Sequence, residues 1–136
     1  MIAIDRAVRF EEVDAAGIVF FAHFYAYCHE AMERLFDGVP GGYVGLITKR
    51  KIGFPAVHTE ADFKAPLRYG DTARIEAGIA KLGETSCNMR YRVVRARDAV
   101  LAATIEHVTV ASDLVQMTKL RLPDDVRAAL APHLLA

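Results

Sequence analysis

Apolar residues recur along the chain with two different periods, and the changes of period divide it into elements. Over residues 2–10, Ile2, Ile4, Val8 and Phe10 lie on one side, interrupted by Arg6, and predict a first strand. A loop follows through residues 11–17. Phe24, Tyr27, Cys28, Ala31, Met32, Leu35 and Phe36 then recur at helical spacing, opposed by Glu30, Glu33, Arg34 and Asp37. Gly38 is read as a left-handed C-cap, and Pro40 prevents the helix from resuming. Residues 39–51 are weaker in pattern, with residues 43–48 a candidate short helix.

From Lys51 the period is two. Val57, Thr59, Ala61 and Phe63 face one way and His58, Glu60, Asp62 and Lys64 the other, up to Pro66 and the Tyr69-Gly70-Asp71 turn. Ala73, Ile75, Ala77 and Ile79 line one face of residues 72–81, and Cys87, Met89, Tyr91 and Val93 one face of the next strand. A turn near Arg97-Asp98 leads into residues 99–111. Pro123-Asp124-Asp125 opens a short C-terminal helix, with proline inside and acids in the first turn. One strand, a long helix, four strands and a short helix, without linker or repeat, predict a single domain over residues 1–136. Its class is α+β: an antiparallel sheet of about five strands wrapped around one long helix.

Composition narrows the function. Seventeen acidic residues balance seventeen basic ones, which argues against a nucleic-acid partner. Cys28 and Cys87 sit inside apolar patterns and read as buried reduced thiols rather than a disulfide framework. No leader-like segment and no bilayer-length apolar stretch is present, so a cytoplasmic protein with no membrane contact is expected.

The candidate chemistry lies between the first strand and the helix. Asp14 precedes Ala15-Ala16-Gly17, small residues that let a ligand approach the backbone. The first helical turn, near residues 21–24, should present unpaired N–H groups and the positive end of the helix dipole. Amides there can polarise a carbonyl, and the carboxylate can attack its carbon or activate a water. An Asp in such a loop also serves, in many proteins, only to cap a turn.

The segment Phe10-Glu11-Glu12-Val13-Asp14-Ala15-Ala16-Gly17-Ile18-Val19-Phe20 resembles the signature of the 4-hydroxybenzoyl-CoA thioesterase family of hotdog proteins. The similarity extends to residues 54–58 and to Asp62-Phe63-Lys64-Ala65-Pro66-Leu67-Arg68-Tyr69-Gly70-Asp71. Val13–Val19 and Cys28-His29-Glu30-Ala31 are particularly similar to its 1,4-dihydroxy-2-naphthoyl-CoA thioesterase branch. The resemblance implies a hotdog fold, and a homodimer whose sheets join edge to edge and which assembles into a homotetramer. It implies active sites at the dimer interface, and no metal or organic cofactor, coenzyme A being part of the substrate. It implies Asp14 as nucleophile or general base, Gly17 in the catalytic turn, and the backbone N–H near Phe21 as the group that polarises the thioester.

The chain departs from that pattern where many relatives carry Tyr or His, at Phe21, and where they carry Asn, at His23. His23 either replaces the lost polar function or caps the first helical turn. The basic cluster that some relatives use for the nucleotide phosphates is missing, the comparable turn reading Lys81-Leu82-Gly83-Glu84-Thr85. Arg90, Arg92 and Lys49-Arg50-Lys51 are the replacement candidates. Phe24 and His58 are candidates for the acyl pocket, His58 through an aryl hydroxyl. His58, Glu60 and Asp62 share a strand face at metal-binding spacing, but solvated strand faces commonly carry such residues.

The expected function is hydrolysis of an aromatic acyl-CoA. Alternatives are a short- or medium-chain aliphatic acyl-CoA, an acyl-carrier-protein thioester, a hotdog hydratase or dehydratase, and a non-catalytic acyl-CoA-binding module.

Overall fold

The computed structural model describes residues 1–136. In chain order the elements are β1 (Ile2–Ala7), α1 (Phe21–Leu35), α2 (Gly42–Thr48), β2 (Ile52–Gly53), β3 (Ala56–Phe63), β4 (Thr72–Leu82), β5 (Ser86–Arg95), β6 (Val100–Val110), β7 (Ser112–Asp113), β8 (Thr118–Lys119) and α3 (Asp124–Leu130). Five strands form an antiparallel sheet in the order β1-β4-β5-β6-β3, and β2, β7 and β8 form a small second sheet. The consecutive hairpins β4-β5-β6 keep period-two patterning in register, so Ala73, Ile75, Ala77, Ile79, Cys87, Met89, Tyr91 and Val93 are all buried.

The apolar stripe of α1 behaves as its spacing requires. Phe24, Tyr27, Cys28, Ala31, Met32 and Leu35 are buried, and the helix packs chiefly against β4 and β1. Complete burial of one such side chain is worth roughly 1.5–3 kcal/mol, so this stripe fixes the helix on the sheet. The helices are of fifteen, seven and seven residues rather than a single long one wrapped by the sheet, and α2 falls on the candidate short helix at residues 43–48. No helix is long and apolar enough to cross a membrane.

Three local expectations are corrected. The first strand stops at Ala7, because the Val8 N–H turns to the Asp71 carbonyl and the Arg9 N–H to the Glu12 carboxylate. Phe10 is consequently 74 % exposed instead of facing the core with Ile2 and Ile4. Gly38 is not a left-handed cap, since φ is positive at Gly17, Gly41, Gly42 and Gly70 only among the glycines. It is small because α3 lies against it: a Cβ there would sit 3.3 Å from the Ala129 Cβ. Pro123 is the N-cap residue of α3 rather than a residue inside it. Val57 and Phe63, on the apolar side of the β3 alternation, are 62 % and 47 % exposed. β3 is an edge strand whose outer margin pairs with nothing, and α1 covers the opposite half of the sheet.

Candidate active site

The loop from Val8 to Phe20 is held open as a small hairpin. Val13 and Val19 bridge, the Asp14 N–H donates to the Ile18 carbonyl at 2.8 Å, and the Gly17 N–H donates to the Asp14 carbonyl at 2.9 Å. Gly17 takes φ +77°, a conformation that strains any residue with a Cβ. Asp14 Oδ1 accepts the Ala16 N–H at 2.8 Å, which leaves the rest of this exposed carboxylate free. On the other side, Val19 N–H donates to the Leu67 carbonyl and Ile18 bridges Arg68, tying the hairpin to the β3–β4 connection.

Beneath the loop lies a charged network that the sequence reading did not anticipate. Glu12 is buried, and its carboxylate accepts the Arg9 N–H at 2.7 Å, the Tyr27 hydroxyl at 2.8 Å and the Arg6 guanidinium at 2.6 Å. Arg6 also reaches Glu30 and lies over the Tyr27 ring. Burial pushes the Glu12 carboxyl up, but these donors more than offset it and leave it below the ordinary carboxylate value. The Glu12 carbonyl accepts the Phe20 N–H at 3.0 Å. One residue therefore ties together β1, the loop and the N-cap residue of α1. The signal was present in the sequence: Arg6 interrupts a core-facing row, and a buried arginine requires a buried acid.

At Phe21 the helix begins without a side-chain cap. The Phe21 N–H donates to no acceptor in the chain, as the first amides of a helix do unless something caps them. Phe21 and Asp14 both line one cleft of about 600 Å³. Phe20, Phe21, Phe24, Phe63 and Pro66 make its walls apolar. Phe63 meets Phe24 edge-on at 5.3 Å and Phe21 at 6.1 Å, joining the end of β3 to the start of α1. A carboxylate, an unpaired amide and an apolar slot can together hold a carbonyl compound with a hydrophobic substituent and stabilise negative charge on its oxygen.

The structure brings together Asp14, Phe21 and Phe24 of the candidates, with Gly17 shaping the turn. Lys64, the one cation lining the cleft, and Phe63 were not singled out from sequence. The other candidates lie elsewhere. His23 packs edge-on against Phe20 and does not line the cleft. His58 contacts Glu60 at 3.0 Å on exposed β3. Arg90 pairs with Glu106 and Arg92 with Glu76 across neighbouring strands. Arg50 pairs with Asp125. Each of these three arginines is thus already neutralised by a carboxylate.

Known proteins match this chain over most of its length. A family model described as the thioesterase-like superfamily matches residues 8–130. A 1,4-dihydroxy-2-naphthoyl-CoA hydrolase of Nostoc punctiforme (strain ATCC 29133 / PCC 73102) is 34 % identical over 122 residues, 90 % of this chain and 81 % of the relative. A solved structure of the thioesterase superfamily from Jannaschia sp. CCS1 superposes with a TM-score of 0.89 at 26 % identity, covering 99 % of this chain and 94 % of the other. A 1,4-dihydroxy-2-naphthoyl-CoA thioesterase from Synechocystis gives 0.85 at 27 % identity, covering 95 % and 94 %. With the Asp14 hairpin, the uncapped helix start and the apolar cleft between them, these matches establish that the chain belongs to the thioesterase-like superfamily.

Proposed function

We propose that this chain, an enzyme of the thioester hydrolase class, hydrolyses an aromatic acyl-CoA to the free acid and CoA, with Asp14 as the catalytic carboxylate. The observation that carries the reading is that Asp14 and Phe21, whose N–H has no acceptor in the chain, line the same ring-walled cleft. The aromatic preference rests on Phe20, Phe21, Phe24 and Phe63, and on the names of the relatives.

The chemistry runs as follows. The acyl group enters the cleft and its thioester carbonyl oxygen accepts the Phe21 N–H. Asp14 then takes a proton from water, whose oxygen attacks the carbonyl carbon, or attacks that carbon itself to give a mixed anhydride that water opens. Negative charge collects on the carbonyl oxygen, where the amide and the helix dipole stabilise it; a single donor of this kind contributes about 10²–10³ in rate in well-studied hydrolases. The tetrahedral species collapses by breaking the C–S bond, and the CoA sulfur leaves as a thiolate that takes up a proton. Gly17 permits the turn that aims Asp14.

The reading includes a cytoplasmic homodimer joined through β3, dimers pairing into a tetramer. The unpaired β3 margin and exposed Val57, Phe63 and Phe21 support the edge-to-edge contact. The test is thiol release from benzoyl-, 4-hydroxybenzoyl-, 1,4-dihydroxy-2-naphthoyl-, acetyl-, hexanoyl- and palmitoyl-CoA by wild type and Asp14→Asn. Turnover of an aryl-CoA that falls at least about a hundredfold in Asp14→Asn is expected. Release from no substrate would overturn the hydrolase assignment, and equal rates in the two proteins would overturn the role of Asp14.

A further inference from the structure

Outside the cleft, the arginines divide into two groups. Arg6, Arg34, Arg50, Arg74, Arg90, Arg92, Arg95, Arg97, Arg121 and Arg127 all have a carboxylate or carbonyl partner. Arg9 and Arg68 have none, and both are exposed. Each immediately precedes an exposed aromatic residue, and the two aromatics touch: the rings of Phe10 and Tyr69 meet edge-on at 5.7 Å while 74 % and 63 % exposed. Two large exposed rings in contact are thus flanked in sequence by two guanidinium groups that no carboxylate of the chain neutralises, with the exposed Glu11 following Phe10.

The patch is held firmly and continues the cleft. The Asp71 carboxylate accepts the Arg68 N–H at 2.9 Å, and the Asp71 carbonyl accepts the Val8 N–H at 2.9 Å. One residue thus fixes the turn carrying Arg68 and Tyr69 against the start of the loop carrying Arg9 and Phe10. The backbone of Arg68 bridges Ile18, which lines the cleft, as does Pro66 two residues before Arg68. Phe10 is four residues from Asp14, so extended backbone separates them by at most about 14 Å. The flexible pantetheine arm of CoA can cover such a span. β1 and β4, beside which the patch lies, are at the opposite margin of the sheet from the open edge of β3.

We infer that Arg9, Phe10, Arg68 and Tyr69 form the landing site for the nucleotide end of the CoA carrier. This assignment rests on the acyl-CoA reading above and adds to it the place where the carrier is held. An adenine ring offers a π face to Phe10 and Tyr69, and guanidinium groups bind phosphate oxygens in pairs of parallel hydrogen bonds. A diphosphate with a 3′-phosphate supplies the acceptors that Arg9 and Arg68 lack within the protein.

The test is calorimetric titration of CoA, and separately of 3′,5′-ADP, into wild type, Arg9→Ala/Arg68→Ala, Phe10→Ala/Tyr69→Ala and, as a charge control, Arg34→Ala. All substituted side chains are exposed, and circular dichroism checks that the fold is retained. Both double variants are expected to weaken both ligands at least tenfold, and Arg34→Ala by less than twofold. The same double variants should hydrolyse the N-acetylcysteamine thioester of the acyl group, which has no nucleotide, at the wild-type rate. CoA affinity within twofold of wild type in both folded double variants would overturn the landing site while leaving hydrolysis untouched. Loss of CoA binding in those variants from a wild-type protein that cleaves no acyl-CoA would uphold the landing site and defeat only the hydrolase reading. Wild type that ignores CoA but cleaves an acyl-carrier-protein thioester would overturn both the landing site and the acyl-CoA substrate.

Discussion

The Tyr27 hydroxyl donates a 2.8 Å hydrogen bond to Oε1 of Glu12 inside the protein. It joins the second turn of α1 to the residue just before the Asp14 hairpin, so the Asp14 loop and the helix are tied to each other. Tyr27→Phe removes one buried donor and is expected to cost about 1–3 kcal/mol. Glu12→Ala removes the acceptor of Tyr27, of the Arg9 N–H and of Arg6, which keeps only the exposed Glu30, and should cost more than Tyr27→Phe. Urea unfolding of the two variants measures both, and equal stability of Glu12→Ala and wild type would show that the network does not hold the fold.

The thiols give a second expectation. Burial pushes Cys28 and Cys87 each up to about 12, so almost no thiolate is present at pH 8. A disulfide reagent should therefore titrate neither cysteine in the folded protein and both after unfolding in guanidinium. Rapid modification of the native protein would show that one of them is accessible.

Acid should weaken the protein in two stages. Burial and the neighbouring His29, whose ring centroid is 5.7 Å away, hold the His107 imidazole below its ordinary value of 6.5. Between that depressed value and 6.5 the unfolded chain binds a proton that the folded one does not, so stability falls as pH drops from 6.5. Glu12 and Asp71, both held below the ordinary carboxylate range against the opposing effect of burial, add stability above their unfolded values. That stability is lost as pH falls from about 4 through their folded values. Melting temperatures between pH 8 and pH 3 should show both declines. Burial holds His133 low in the same direction, so the first should shrink in His107→Gln and disappear only when His133→Gln is added; its persistence in the double variant would assign it to another group.

A fourth expectation concerns β3. Val57→Lys changes a residue 62 % exposed in the single chain, so monomer stability should move by no more than about 0.5 kcal/mol. A charge on a strand edge opposes pairing with another edge. Sedimentation should therefore show a lighter species than wild type at equal concentration. Wild type that sediments as a monomer at 100-fold higher concentration than the assay uses, roughly millimolar, would remove the proposed dimer.

How much was legible in the sequence depended on whether the information was local. The α1 stripe and the β4–β5 alternation were readable because each residue's environment follows from its neighbours in chain order. The β3 alternation was legible for the same reason, but its exposure was not: it is an edge strand that α1 touches only in places, where Phe63 meets Phe24 and Phe21 and Thr59 meets Tyr25. Asp14 was legible through its motif, together with the amide that starts the next helix. Its companions Phe63 and Lys64 were not, because the end of β3 approaches α1 only when the sheet closes in the order β1-β4-β5-β6-β3.

The charges show the division most plainly. By itself the sequence determined that the chain is an α+β domain of zero net charge, with an acid in a glycine-containing turn before a helix. Period and turn chemistry act over a few residues and need no distant partner. Only tertiary structure decided which charges are spent on one another. It paired Arg90, Arg92 and Arg50 with acids 16 to 75 residues away, and left Arg9 and Arg68 free beside two exposed rings. Ion pairing depends on distances of a few ångströms between side chains far apart in sequence, and the folded sheet alone sets those distances.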